Sequence, residues 1–169
     1  MRIFRISSFI FFLSLIYILS SCKQSPRKNA IGTIDGVEVT IDYGSPSVKG
    51  REIWGGLEPY GKVWRAGANE ATTIEFSGNV IIDSESIPAG KYAFFIVPNE
   101  NANWEIIFNK TWDQWGAYDY DQSQDQLRLN IEPDWSNDIQ EELIYEINEN
   151  TIHFAWEKVR IDIPVSVSQ

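Results

Sequence analysis

From Val37 to Val167 the chain is a succession of short runs in which apolar and polar residues alternate, with no long helical period among them. Val37, Val39, Ile41 and Tyr43 alternate with Glu38, Thr40 and Asp42. Successive side chains on a strand point to opposite faces, so such a run is a strand with one buried face. Asp35-Gly36 ahead of it is a hairpin turn signal. Thr72, Ile74 and Phe76 form the next strand, and Ser77-Gly78-Asn79 turns the chain into Val80-Ile81-Ile82. Lys91 to Val97 is apolar on both faces, which places it centrally in a sheet covered on both sides. Trp104-Ile106-Phe108, Leu127-Leu129-Ile131 and Leu143-Tyr145-Ile147 repeat the alternation. Thr151 to Lys158 puts Ile152, Phe154 and Trp156 on one face, after a turn at Glu149-Asn150. The final run, Val159 to Val167, contains Pro164, which suits an edge strand because proline donates no hydrogen bond. Only Ser136 to Glu142 reads as a short helical turn. Eight or nine strands at this spacing predict an all-β, single-domain antiparallel β-sandwich, jelly-roll-like or Ig-like, over residues 31–169.

Two segments break the alternation. Arg51 to Asn69 holds Trp54, Tyr60 and Trp64 among Gly55, Gly56, Gly61 and Gly67, and Asn109 to Asp121 holds Trp112, Trp115, Tyr118 and Tyr120. Such loops pack by their own side chains or present them to a ligand. Rings on loops at one end of a sandwich stack on sugar faces, with polar neighbours supplying hydrogen bonds. The candidate binding residues are therefore Arg51, Trp54, Tyr60, Trp64, Arg65, Asn69, Glu70, Lys110, Trp115, Tyr118 and Asp119, with Asp113 a further polar partner.

The N-terminus has the anatomy of an export signal. Arg2 and Arg5 precede an apolar run, Phe9 to Leu19, too short to span a bilayer comfortably. Leu19-Ser20-Ser21-Cys22 then fits the bacterial lipobox. The expected organisation is a lipoprotein signal peptide at residues 1–21, a lipidated Cys22 with a flexible tether over residues 22–30, and the folded domain. Several acyl chains on Cys22 would hold the protein to a membrane. Cys22 is the one cysteine, so no disulfide is available. Lys23 after it resembles the sorting pattern for the outer membrane, which points to its periplasmic face.

The composition excludes more chemistry than it suggests. The net charge is −10, and loss of Arg2 and Arg5 takes it to −12, which disfavours nucleic acid as a partner. The single histidine, His153, lies on a strand. Zinc sites of the usual Cys/His kind and a Ser-His-Asp triad thus have little to draw on. No glycine-rich phosphate loop follows a strand. Asp119, Asp121, Ser123 and Asp125 recur at calcium-ligand spacing. However, Gln124 stands where an EF-hand needs glycine, and Asn130 where it needs glutamate, so the stretch reads as a polar hairpin loop. No cofactor is expected. Carboxylates beside the aromatic loops, Glu52, Glu58, Glu70, Asp113, Asp119 and Asp121, could flank a sugar for acid–base hydrolysis.

The runs YGSPSVKGREIWGGLEPYGKVWRAGANEATTIEFS, PAGKYAFFIVP and WEIIFNKTWDQWGAYDYDQSQDQLRL resemble a bacterial family known as domain of unknown function 2911, over about Ile34 to Val165. The resemblance implies an exported protein or lipoprotein with a β-rich fold, and no activity. It marks as typical Arg51, Trp54, Gly55, Tyr60, Trp64, Arg65, Asn69, Glu70, Lys110, Trp115, Gly116, Tyr118 and Asp119. It also implies an arginine where this chain has Ser45. The expected function is a non-catalytic binding module for a carbohydrate or other small polar ligand. The alternatives are a carboxylate-dependent envelope hydrolase and a purely structural lipoprotein.

Overall fold

The computed structural model describes residues 24–167, so the signal peptide and Cys22 lie outside the described residues. Within them are eleven strands and one 3₁₀ turn: β1 (Arg27–Ile34), β2 (Val37–Gly44), β3 (Thr72–Phe76), β4 (Val80–Ile82), β5 (Glu85–Ile87), β6 (Gly90–Val97), β7 (Trp104–Asn109), β8 (Asp125–Ile131), β9 (Asp134–Ile147), β10 (Thr151–Pro164) and β11 (Ser166–Val167). The chain is an antiparallel β-sandwich, as the alternation predicts. One layer is a six-stranded sheet in the order β1-β2-β3-β6-β7-β8. The β9–β10 pair and the small sheet β11-β4-β5 pack against it. Among the described residues no helix is long and apolar enough to cross a membrane.

The core follows from the alternation. Ile41, Ile74, Phe94, Ile106 and Phe108 face inward from the large sheet, and Tyr145, Ile152, Phe154 and Trp156 meet them from β9 and β10. β6 is central and apolar on both sides, as expected, because its other face is covered as well. At Tyr145 the hydroxyl donates to Ala66 O at 2.8 Å, which satisfies the one polar atom that the ring takes inside.

Three expectations need correction. The tether does not extend to residue 30: Arg27 to Ala30 already belong to β1, paired residue for residue with β2 across the Asp35-Gly36 turn. That turn has φ of 47° and 86° at its two residues, the mirror-image geometry hairpins favour. β1 escapes sequence reading because it is an edge strand whose outward residues, Arg27, Asn29 and Ile31, lie mostly in solvent.

Ser136 to Glu142 is strand rather than helical turn. It forms the first half of β9, held to β10 through Gln140–Glu157 and Trp135–Val159 with two register shifts between. Glu157 takes φ of 53° within that irregular stretch. This half of β9 is largely exposed, so no buried face imposes an alternation on its sequence. Finally, Thr151 to Pro164 is one strand, not the end of one and most of another. Pro164 marks where the chain leaves β9 and passes into β11 beside β4.

A candidate binding cleft

The long connection from β2 to β3 leaves its sheet, crosses to the facing layer and returns. Val48 N donates to Glu141 O, and Leu143 N to Pro46 O, tying its start to β9. Ser45 is buried, and its hydroxyl donates to Leu143 O at 2.7 Å. The charge implied at this position by the resemblance would have no solvent here. The return is fixed by a reciprocal backbone pair between Trp64 and Ile96.

In between, the rings turn inward. Trp54 meets Trp104 edge-on at 4.7 Å and Trp156 at 5.6 Å, while Trp64 stacks on Trp156 at 5.5 Å and 20°. Trp54 and Trp64 are 7% and 4% exposed, so their faces are covered by other rings and offer no stacking surface to a ligand. This corrects their place among the candidate binding residues. Tyr60 is half-buried against the same core.

The second aromatic segment, between β7 and β8, lies on the outer face of the large sheet. Tyr120 packs edge-on against Phe95 at 5.3 Å, and Ala117 joins it over Ala71, Ala93 and Ile107. The Tyr120 hydroxyl donates to Asp125 at 2.8 Å and accepts from Arg128. Burial, followed by the Asp125 carboxylate, pushes this phenol up to about 12. Asn109, fully buried, donates to Asp121 O and to Asp125, and accepts from Thr111 N. Asp121 accepts from Ser123 N to cap the 3₁₀ turn Gln122–Gln124, and that hydrogen bond holds its carboxyl below the usual range. The calcium-like spacing thus does cap and brace work at Asp121 and Asp125. Among the described residues no group of three or more His, Cys, Asp or Glu is placed to hold a metal ion.

Past this packed base the loop stands open. Trp112, Trp115 and Tyr118 are 42%, 51% and 82% exposed. Trp112 and Trp115 wall a cleft of about 480 Å³ on the outer sheet face. Its floor is the outward row of adjacent strands: Asp42 of β2 pairs with Thr73 of β3, and Lys91 lies one step along β6.

Arg27 crosses that floor. Its guanidinium pairs with Asp42, lies 3.7 Å from Glu70, and donates to the Asp42 and Ala71 carbonyls at 3.1 Å. Lys91 Nζ sits 4.7 Å over the Trp112 ring. Asp113 and Asp119 also line the cleft and form no ion pair among the described residues. A backbone bridge between Glu70 and Trp115, with Ala71 N donating to Gln114 O, joins the end of the first loop to the second.

Of the predicted binding residues, the cleft gathers Glu70, Trp115 and Asp119. Asn69 lines an adjoining hollow with Gln24, Ser25 and Arg27, and donates to Ser25 O at 3.2 Å. The remaining ones lie elsewhere. Arg51 ties its own loop by donating to the Val48 and Ser47 carbonyls. Arg65 reaches the second loop, its Nη1 3.2 Å from where a Cβ on Gly116 would stand. Tyr118 projects from the loop beside Gly116, and Lys110 is exposed with its backbone N–H bonded to Gln124 O.

Sequence reading missed Arg27, Asp42, Thr73, Lys91 and Gln114. The first four occupy outward strand positions, which read as solvated; only their pairing beneath an aromatic loop makes them a floor. Glu58 is a further titratable group, half-buried near Arg65 and Arg51. Desolvation outweighs both arginines and raises its carboxyl to about 7. His153 lies on β10 with Nδ1 2.7 Å from Asp162, outside the cleft.

The sequence model of a family described as Protein of unknown function (DUF2911) matches residues 25–165. Comparison with curated proteins and with solved structures returned no match.

Proposed function

The chain belongs to the DUF2911 family, whose description assigns no activity, and from the cleft itself we propose a non-catalytic binding module for a carbohydrate or other small polar ligand, carried on a lipid anchor in the cell envelope. The observation that supports this reading is the open Trp115 ring in a concave site with the unpaired Asp113 and Asp119 carboxylates and the Gln114 amide around it. A buried ring supplies packing. A half-exposed indole beside hydrogen-bonding groups supplies an apolar face and orientation together, the combination a small polar ligand requires.

A thermal-shift screen of the purified chain against neutral, acidic and amino-sugar oligosaccharides tests it. A ligand that favours the folded state raises the midpoint by mass action. The shift should shrink in Trp115→Ala, as expected for a ligand held about tenfold more weakly. A midpoint that no compound moves, in wild type or variant, would remove the reading.

The lipobox supports acylation at Cys22, and Lys23 after it supports attachment to the periplasmic face of the outer membrane. Cys22→Ala should move the protein from the membrane fraction to the soluble fraction; retention on the membrane would contradict the anchor. A carboxylate-dependent hydrolase is the second reading, favoured by Glu70, Asp113 and Asp119 sharing one cleft. It requires turnover that a Glu→Gln or Asp→Asn change at one of them abolishes.

A further inference from the structure

The carboxylates that line the cleft outnumber its cations. Its two cations are engaged within the chain. Arg27 spends its donors on Asp42, Glu70 and Ala71, and Lys91 rests on the Trp112 ring. Asp113 and Asp119, by contrast, accept no side-chain hydrogen bond and meet no cation among the described residues. Charges within the lining do not balance: Asp42, Glu70, Asp113 and Asp119 face Arg27 and Lys91.

Gln114 supplies an independent observation. Its side chain lines the cleft at 8% exposure, and its Oε1 has no hydrogen-bond partner among the described residues. The amide cannot be turned round to cure this. Its Nε2 already donates to Thr111 O, and reversal would set two oxygens against each other. A covered acceptor without a donor is costly, so the wall holds an unmet demand for an N–H. Because the Oε1 is itself covered, an entering donor reaches it only as this side chain shifts toward the cleft. Beside it stands the Trp115 ring, whose face attracts a cation through the ring quadrupole.

We propose that the ligand of this cleft carries an ammonium group, seated against the Trp115 ring between the Asp113 and Asp119 carboxylates, with Gln114 Oε1 accepting one of its protons. The inference rests on the binding reading above and narrows it to one ligand chemistry. Two sources present that chemistry in an envelope: an amino sugar and an ethanolamine lipid headgroup. The headgroup lies within reach if Cys22 is acylated. Gln24 and Ser25 line the hollow that adjoins the cleft, and the two residues from Cys22 to Gln24 span at most about 7 Å.

The test titrates the full chain in detergent with glucosamine oligomers and with the same oligomers N-acetylated, reading tryptophan fluorescence. The pair differs at the amino nitrogen, a charged ammonium in one and a neutral acetamide in the other. Parallel arms use vesicles of phosphatidylethanolamine in phosphatidylcholine and vesicles of phosphatidylglycerol in phosphatidylcholine. The amine form should bind at least about tenfold more tightly than the acetylated form. The double variant Asp113→Asn, Asp119→Asn should erase that difference while leaving the thermal midpoint in place. Preference for the amine oligomer alone identifies an amino sugar; preference for ethanolamine vesicles identifies the headgroup.

Equal or tighter binding of acetylated or anionic probes would overturn the inference and leave the binding reading standing. Binding of none of them would take both away.

Discussion

The two loops are both rich in aromatic rings and have opposite fates. Trp54 and Trp64 are interior, packed on Trp104 and Trp156; Trp112 and Trp115 stand half in solvent over the outer sheet face. The difference lies in what each loop covers. The first connects β2 and β3, neighbours in one sheet, so its excursion is free to dip between the layers and plug the sandwich. The second lies on a face where Tyr120 and Ala117, together with Val63 and Val97, already cover Phe95 and Ile107. Its other rings have no core left to fill. Ring content therefore distinguishes neither packing from presentation; the apolar area still uncovered beneath a loop does.

The comparison breaks most sharply on deletion of a ring. Trp64→Ala should cost about 3–5 kcal/mol in chemical denaturation, the range for large core rings. Trp115→Ala should stay within about 0.5 kcal/mol of wild type. Equal losses at the two positions would mean that both loops pack.

The loops also differ in buried charge. Glu58 of the first loop titrates near 7 in the fold against a usual 4.5. Between those values the folded state holds the extra proton, so stability falls as pH rises through that window. Glu58→Gln should flatten the denaturation profile there and exceed wild type by about 2–3 kcal/mol at pH 8. An unchanged profile would show that the Glu58 carboxyl is solvated.

A third effect concerns how the first loop is seated. A Cβ on Gly44 would come 2.0 Å from Ala68 O, a backbone atom that cannot swing aside. Gly44→Ala should cost about 1–3 kcal/mol by overpacking, and should leave the cleft's ligand affinity alone once folded. The smallest expected effect is on binding. Trp115→Ala should weaken the ligand by about tenfold in a fluorescence or calorimetric titration, with Trp112→Ala milder because Lys91 already occupies a face of that ring.

The sandwich was legible because a buried face writes itself into sequence as alternation: β2, β3, β7 and β8 are visible that way, and β6 as a run apolar on both faces. Where no face is buried, nothing is written. The first half of β9 is strand by pairing with β10, and its exposed Trp135, Asp138 and Ile139 carry no period that says so. β1 is strand by pairing with β2.

The cleft was legible in part. Trp115, Glu70 and Asp119 stood out as polar and aromatic loop residues. Arg27, Asp42 and Lys91 did not, since an outward strand residue looks the same whether water or a loop covers it. Trp54 and Trp64 misled for the reverse reason. Their surroundings are set by Trp104 and Trp156, on strands far along the chain, and no local pattern reports a contact at that separation.

The most direct measurement is a titration of the ¹⁵N-labelled chain followed through its indole N–H signals. Addition of glucosamine oligomers should move the signals of Trp112 and Trp115, while those of Trp54, Trp64, Trp104 and Trp156 hold still. Movement of the interior set instead, with Trp115 unaffected, would place recognition at the first loop and contradict the account.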